Sequence, residues 1–269
     1  MRLDDVRGFV LDIDGTLLHR AGEEVRLQPE ASEVLARIRA SGRPLVLFTN
    51  GSHAAPETLA AELREVGLDV GGDEVLTPLC SVQFYLARHG RDGVVLLLGT
   101  EAAREYLARS GVRVAGGDDT GRVDAVFVAW PDVLDFAELE RAARAVLSGA
   151  RLLTASYVRA YAGADGPIFS RGAMTAAAIA KATGARPVIV GKPSRAAVEA
   201  FSDRLGAPPK ELAVIGDDIR MDIALGRLGG SRTILVRTGM SSLVEPRDVA
   251  ERHRPHAVIE DVSELLEWL

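Results

Sequence analysis

The chain has 269 residues, 47% hydrophobic and 26% charged, with a net charge of −6, a balance that excludes a disordered or fibrous protein. No basic block or stripe runs through it, which argues against nucleic acid as a partner. The single cysteine, Cys80, excludes an internal disulfide and a four-thiolate zinc site.

No apolar run reaches the roughly 18 residues of a membrane span, and the first residues lack the apolar centre of a signal peptide. A cytoplasmic protein that does not enter a membrane is therefore expected. In chain order, the first apolar run, 8–11, drives straight into Asp12-Ile13-Asp14-Gly15-Thr16. Two carboxylates at the end of a buried strand repel each other and resist desolvation, so the arrangement needs a compensating cation. A helix over 29–42 follows, with Pro29 in its first turn and Gly42 just past its end. The run 44–48 ends in Thr49-Asn50-Gly51-Ser52, and Ser52 reads as the cap of a second helix running from Pro56 to Gly67. A third helix takes Thr77 as N-cap, Pro78 as first residue and Gly90 as stop.

Strand-like runs recur at 93–98 and 123–128, with Thr100 reading as the N-cap of the intervening helix. The run 187–190 leads into Gly191-Lys192-Pro193. The run 211–215 leads into Gly216-Asp217-Asp218, with Asp222 on the helix beyond, and a last run covers 232–236. Regular strand–helix alternation predicts an α/β fold: a Rossmann-like, doubly wound parallel sheet. Glycine-rich breaks at 70–74 and 183–187 bracket a self-contained set of elements. The expected organisation is a core of 1–76 and 186–269 with an inserted α/β cap domain, 77–185.

In open α/β sheets, ligands gather at the carboxyl ends of the strands. Four run ends here offer an acid pair, a hydroxyl, a cation and a second acid pair. Asp12, Asp217 and the backbone carbonyl of Asp14 form an oxygen set suited to Mg²⁺. At ~4 Å and an effective dielectric of ~20, each carboxylate–cation pair contributes roughly 4 kcal/mol of attraction. The same positive field, with Thr49 and the following N–H groups, suits a phosphate dianion. On a strand, residues i and i+2 face the same way. Asp12 can then attack phosphorus while Asp14 handles the leaving-group proton.

These segments, "DIDGTL", "FTNGS", "GKP" and "GDDIRMD", resemble in order the four motifs of the haloacid-dehalogenase-like phosphohydrolases. The large insert is similar to the α/β cap of the NagD-like branch, subfamily IIA. The resemblance implies a Mg²⁺-dependent phosphatase that acts on a small phosphorylated metabolite through an aspartyl-phosphate. It implies Asp12 and Asp14 as nucleophile and acid/base, Thr49, Asn50 and Lys192 as phosphate binders, and Asp12, Asp14 and Asp217 as metal ligands. Asp218 and Asp222 are implied as orienting groups, and relatives suggest a homodimer through the cap. The cap stretches "TASY" and "FSRGA" differ from the branch pattern, so a substrate preference of its own is expected, read by Tyr157, Arg159, Asp165 and Arg171. Asp14 argues against the rival dehalogenase chemistry, which needs no leaving-group acid. A phosphotransferase or mutase sharing the intermediate, and a non-catalytic phosphometabolite sensor, are the alternatives.

Overall fold

The computed structural model describes residues 2–21, 24–89, 93–116, 121–161 and 168–269. Gly90 and Asp165, singled out above, lie outside the described residues. The strands of the first part are β1 (Gly8–Leu11), β2 (Leu18–Ala21), β3 (Glu24–Leu27), β4 (Leu45–Phe48) and β5 (Val75–Leu76). Then come β6 (Val95–Leu98), β7 (Ala125–Val128), β8 (Arg151–Thr154), β9 (Ala160–Tyr161), β10 (Ile168–Phe169) and β11 (Val188–Ile189). The last are β12 (Leu212–Gly216), β13 (Arg232–Val236) and β14 (Ala257–Ile259). The helices are α1 (Ala31–Ala40), α2 (Pro56–Glu65), α3 (Pro78–Arg88), α4 (Glu101–Arg109), α5 (Phe136–Leu147), α6 (Arg171–Thr183), α7 (Arg195–Leu205) and α8 (Ala224–Gly229).

Six parallel strands form the larger sheet in the order β14-β13-β12-β1-β4-β5. Side chains alternate along each strand, so each strand feeds two cores. Phe9, Leu11, Leu45, Leu47, Ala213 and Ile215 enter one cluster with α1 and α2. Val10, Val46, Phe48, Leu212 and Val214 enter the other with α7 and α8. This double burial explains why these strands read as continuous apolar runs. A second parallel sheet, β11-β8-β7-β6, splits its side chains the same way: Leu97 and Phe127 on one face, Leu98 and Val128 on the other. The doubly wound core and the inserted α/β unit are thus both present.

The strand over 187–190 was expected in the core. Its central residues, β11, pair instead with β8 of the smaller sheet, so the chain leaves that sheet after Ile189 rather than before Arg186. Strand β8, at the middle of that sheet, has no counterpart among the expected runs. It is four residues long and opens on an exposed arginine, so its apolar signal is brief. The hairpin β2–β3 was also unread, because β3 alternates only between exposed and half-buried residues. Among the described residues no helix is long and apolar enough to cross a membrane.

Helix boundaries follow the local chemistry. Thr77 accepts from the Leu79 N–H and Thr100 from the Ala103 N–H, as their N-cap positions require. Ser52 does not cap α2. Ala55 occupies the N-cap, Pro56 starts the helix, and Ser52 is buried.

Candidate active site

The carboxyl ends of β1, β4 and β12 and the turn after β11 line one cavity of about 330 Å³ between the two sheets. Asp12, Asp14, Thr49, Asn50, Lys192, Asp217, Asp218 and Asp222 all line it, although up to 210 residues separate them in sequence.

Asp12 sits one residue past β1, its N–H bonded to Ile215 O at 2.9 Å. Its carboxylate is nearly buried and held at both oxygens. Lys192 Nζ donates to Oδ1 at 2.5 Å, and Thr16 Oγ1 donates to Oδ2 at 3.3 Å. Lys192 Nζ also donates to Asp222 Oδ1 at 2.6 Å. Asp222 lies in a single π-helical turn, 219–223, an irregularity often found at functional sites. Its other oxygen accepts the Asp218 N–H at 3.1 Å. Lys192 thus bridges Asp12 and Asp222, whereas the Asp218 carboxylate caps the turn through the Arg220 N–H and makes no bond to the lysine.

Asn50 clasps the lysine's main chain from both sides. Its Oδ1 accepts the Lys192 N–H at 2.7 Å, and its Nδ2 donates to Lys192 O at 2.9 Å. The side chain is thus a clasp between two motifs. Thr49 Oγ1 accepts the Gly51 N–H at 3.0 Å. The Asp14 carboxylate, about half exposed, pairs with Arg20 at 2.7 Å.

Three nearby residues escaped the sequence reading. Thr16 stands in the first motif, and its spacing alone does not point to Asp12. Met240 donates its N–H to Asp217 Oδ2 at 2.6 Å, and Thr238 Oγ1 donates to Gly15 O at 2.5 Å. The loop 238–241 thereby ties β13 to the turn after β1, and nothing in its composition signals this. Gly15 has a positive φ of 87°, and a Cβ there would lie 2.5 Å from Asp217 Oδ2. Only glycine lets the turn pass so close to that carboxylate.

Burial, with Asp222 and Asp217 beside it, pushes Asp12 well above the usual carboxylate range, against the opposing pull of Lys192. Burial and Asp222 likewise push Asp217 up to about 7. Burial would pull Lys192 down, but Asp12 and Asp222 outweigh it and hold the ammonium above its ordinary value. Asp12, Asp217 and Asp222 bring carboxylate oxygens within 4.8 Å of one another. With all three acids ionised, one ammonium leaves two negative charges, which is why burial and mutual repulsion raise Asp12 and Asp217. A divalent cation would cancel those two charges, and an all-oxygen donor set fits a hard one.

The far wall of the cavity is apolar and aromatic: Trp130, Val158 and Ala160 from the smaller unit face His53, Met221 and Met240. Trp130 meets His53 edge-on, with ring centroids 6.4 Å apart. Tyr157 and Arg159 are exposed and do not line the cavity. Val158 and Ala160 line it in their place. Arg171 reaches the site only through Trp130, its guanidinium 5.9 Å from the ring centroid. The side of the cavity opposite the acids is thus a wall around a tryptophan, with Tyr157 and Arg159 outside it.

A family model described as haloacid dehalogenase-like hydrolase matches residues 9–113, and a second, HAD-hydrolase-like, matches 189–265. Chronophin of Bos taurus is 31% identical over 98% of this chain and 93% of its own. A p-nitrophenyl phosphatase from Archaeoglobus fulgidus superposes with a TM-score of 0.84 at 30% identity, covering 98% of this chain and all of that one. NagD from E. coli K-12 superposes with a TM-score of 0.84 at 28% identity, covering 98% of each chain.

Proposed function

The chain belongs to the haloacid dehalogenase-like hydrolases, and from that premise we propose that it is a Mg²⁺-dependent phosphatase that cleaves a small phosphorylated metabolite through an aspartyl-phosphate on Asp12. The observation that carries this reading is the buried Asp12 carboxylate, fixed by Lys192 and Thr16 at the floor of the cavity where all four motifs meet.

Asp12 attacks phosphorus, and its new O–P bond forms as the ester O–P bond breaks. Asp14 gives a proton to the departing oxygen, so the alcohol leaves neutral. The Thr49 hydroxyl, the Asn50 main-chain N–H and the Lys192 ammonium hold the phosphoryl oxygens. Asp14 then takes a proton from a water molecule. That water's oxygen bonds to phosphorus as the Asp12 O–P bond breaks, which frees the carboxylate. Mg²⁺, held by Asp12, the Asp14 carbonyl and Asp217, supplies charge neutralisation when bound. Binding alone would need no carboxylate aimed at phosphorus, so the same site speaks for an enzyme over a sensor.

Hydrolysis of p-nitrophenyl phosphate with and without Mg²⁺ tests the reading. Activity should require Mg²⁺, vanish in chelator and fall when excess Ca²⁺ is added. Ca²⁺ accepts more ligands at longer distances and would draw a second Asp12 oxygen away from attack. Full activity in chelator, or with Ca²⁺ alone, would overturn it.

The phosphoryl machinery is common to every phosphomonoester, so discrimination must come from the opposite wall. Trp130→Ala should lower kcat/KM for aryl phosphates about tenfold, the upper reach of an aromatic contact, and for small alkyl phosphates by less than about twofold. Arg159→Ala should leave the substrate ranking unchanged. A panel of phosphate esters assayed on both variants measures this. An altered ranking with Arg159→Ala and none with Trp130→Ala would return specificity to the exposed arginine.

A further inference from the structure

The hairpin β2–β3 follows the Asp12–Asp14 turn directly and is stapled to it. The Gly15 N–H donates to Leu18 O at 2.7 Å, and the Gln28 N–H donates to Leu17 O at 2.9 Å. Leu18 is fully buried, and Arg20, two residues on, shares its face of β2. The strand therefore carries an exposed cation one step beyond a buried leucine, at the rim of the turn. That cation meets Asp14: Arg20 Nε donates to Asp14 Oδ1 at 2.7 Å. The hairpin's other arginine, Arg26, has its own partner, Glu24, at 2.8 Å. Arg20 also lines a side cleft of about 250 Å³ that shares Asp14, Thr49, Gly51 and His53 with the main cavity.

We propose that Arg20 is a positioning residue for the proton-transfer steps: it fixes Asp14 through Oδ1 and presents Oδ2 to the leaving-group oxygen. The inference rests on Asp14 being the acid/base group, as assigned above. A carboxylate on a half-exposed turn rotates freely about χ1 and χ2, and each misdirected rotamer removes the acid from reach. A charge-assisted bond from a hairpin anchored on both sides narrows that set. In the first step the proton on Oδ2 passes to the ester oxygen as its bond to phosphorus breaks. In the second, Oδ2 takes a proton from the water whose oxygen bonds to phosphorus. Arg20 gives up no proton in either. An exposed ion pair is weak, so the effect is one of aim and is modest in size.

The test compares p-nitrophenyl phosphate, whose leaving group departs without a proton, with glycerol phosphate, whose alkoxide needs one. Arg20→Ala and Arg20→Gln should lower kcat on glycerol phosphate about three- to tenfold. On p-nitrophenyl phosphate the loss should stay below twofold, with inhibition by inorganic phosphate unchanged. Arg20→Lys should recover part of the loss, and Arg26→Ala should behave as wild type. Equal losses on both substrates, no loss on either, or the same loss with Arg26→Ala would overturn the proposal. Asp14→Asn separates the two levels. If it shows the leaving-group signature and the Arg20 variants do not, Arg20 fails and the acid/base assignment stands. If Asp14→Asn lacks the signature too, or the wild-type protein hydrolyses neither ester, the underlying reading fails with it.

Discussion

Asp12→Asn protein is expected to fold as wild type does and to lose turnover of p-nitrophenyl phosphate by ~10⁴–10⁶-fold, the scale set by removal of a nucleophile. The amide is close to the carboxylate in shape. It keeps one oxygen to accept from Lys192, and Lys192 keeps Asp222 at 2.6 Å, so the buried ammonium is never left unpaired. What the variant lacks is a negatively charged oxygen able to form a bond to phosphorus. Steady-state hydrolysis with pure protein measures the loss, and a melting curve in chelator measures the fold. Phosphate release within tenfold of wild type would remove Asp12 from the nucleophile's role. A melting point far below wild type would instead show that its charge holds the site together.

Lys192→Met should be costly in both respects. The ammonium is buried and bridges two buried carboxylates, at 2.5 Å to Asp12 and 2.6 Å to Asp222. Methionine fills similar space but leaves both acids without their counter-charge. Breaking a buried pair by removing one partner typically destabilises by about 3–5 kcal/mol. For a chain of this size that corresponds to a fall of roughly 10 °C in Tm, measured without metal. Activity should fall at least ~10³-fold, because a preorganised cation beside the phosphoryl group is also lost. A Tm within 2 °C of wild type would show that Asp12 and Asp222 do not depend on the lysine.

The motifs were legible because each is local. An apolar strand, then a polar cluster at its carboxyl end, is written in consecutive residues. The strand 232–236 was read to the residue, and Thr77 and Thr100 announce their helices through side chains that bond two or three residues away. The elements that escaped carry weak local signals. β5, β9 and β10 are two residues each, and β8 draws its burial from neighbours on both sides rather than from its own length.

The division between sequence and tertiary structure runs the same way within the site. Residue types and order alone determined the α/β class, the inserted unit and the set of acids, hydroxyl and lysine. Chemistry at a strand end requires those types whatever the packing around them. Only the folded chain decided their partners: Asn50 on the Lys192 main chain, Thr16 on Asp12, Met240 on Asp217 and Arg20 on Asp14. It also decided that Trp130, not Arg159, faces the cavity. A hydrogen bond or an aromatic wall depends on ångström-scale placement between elements far apart in the chain. Spacing along the sequence holds no record of that distance, because it is fixed by how the sheets and helices pack.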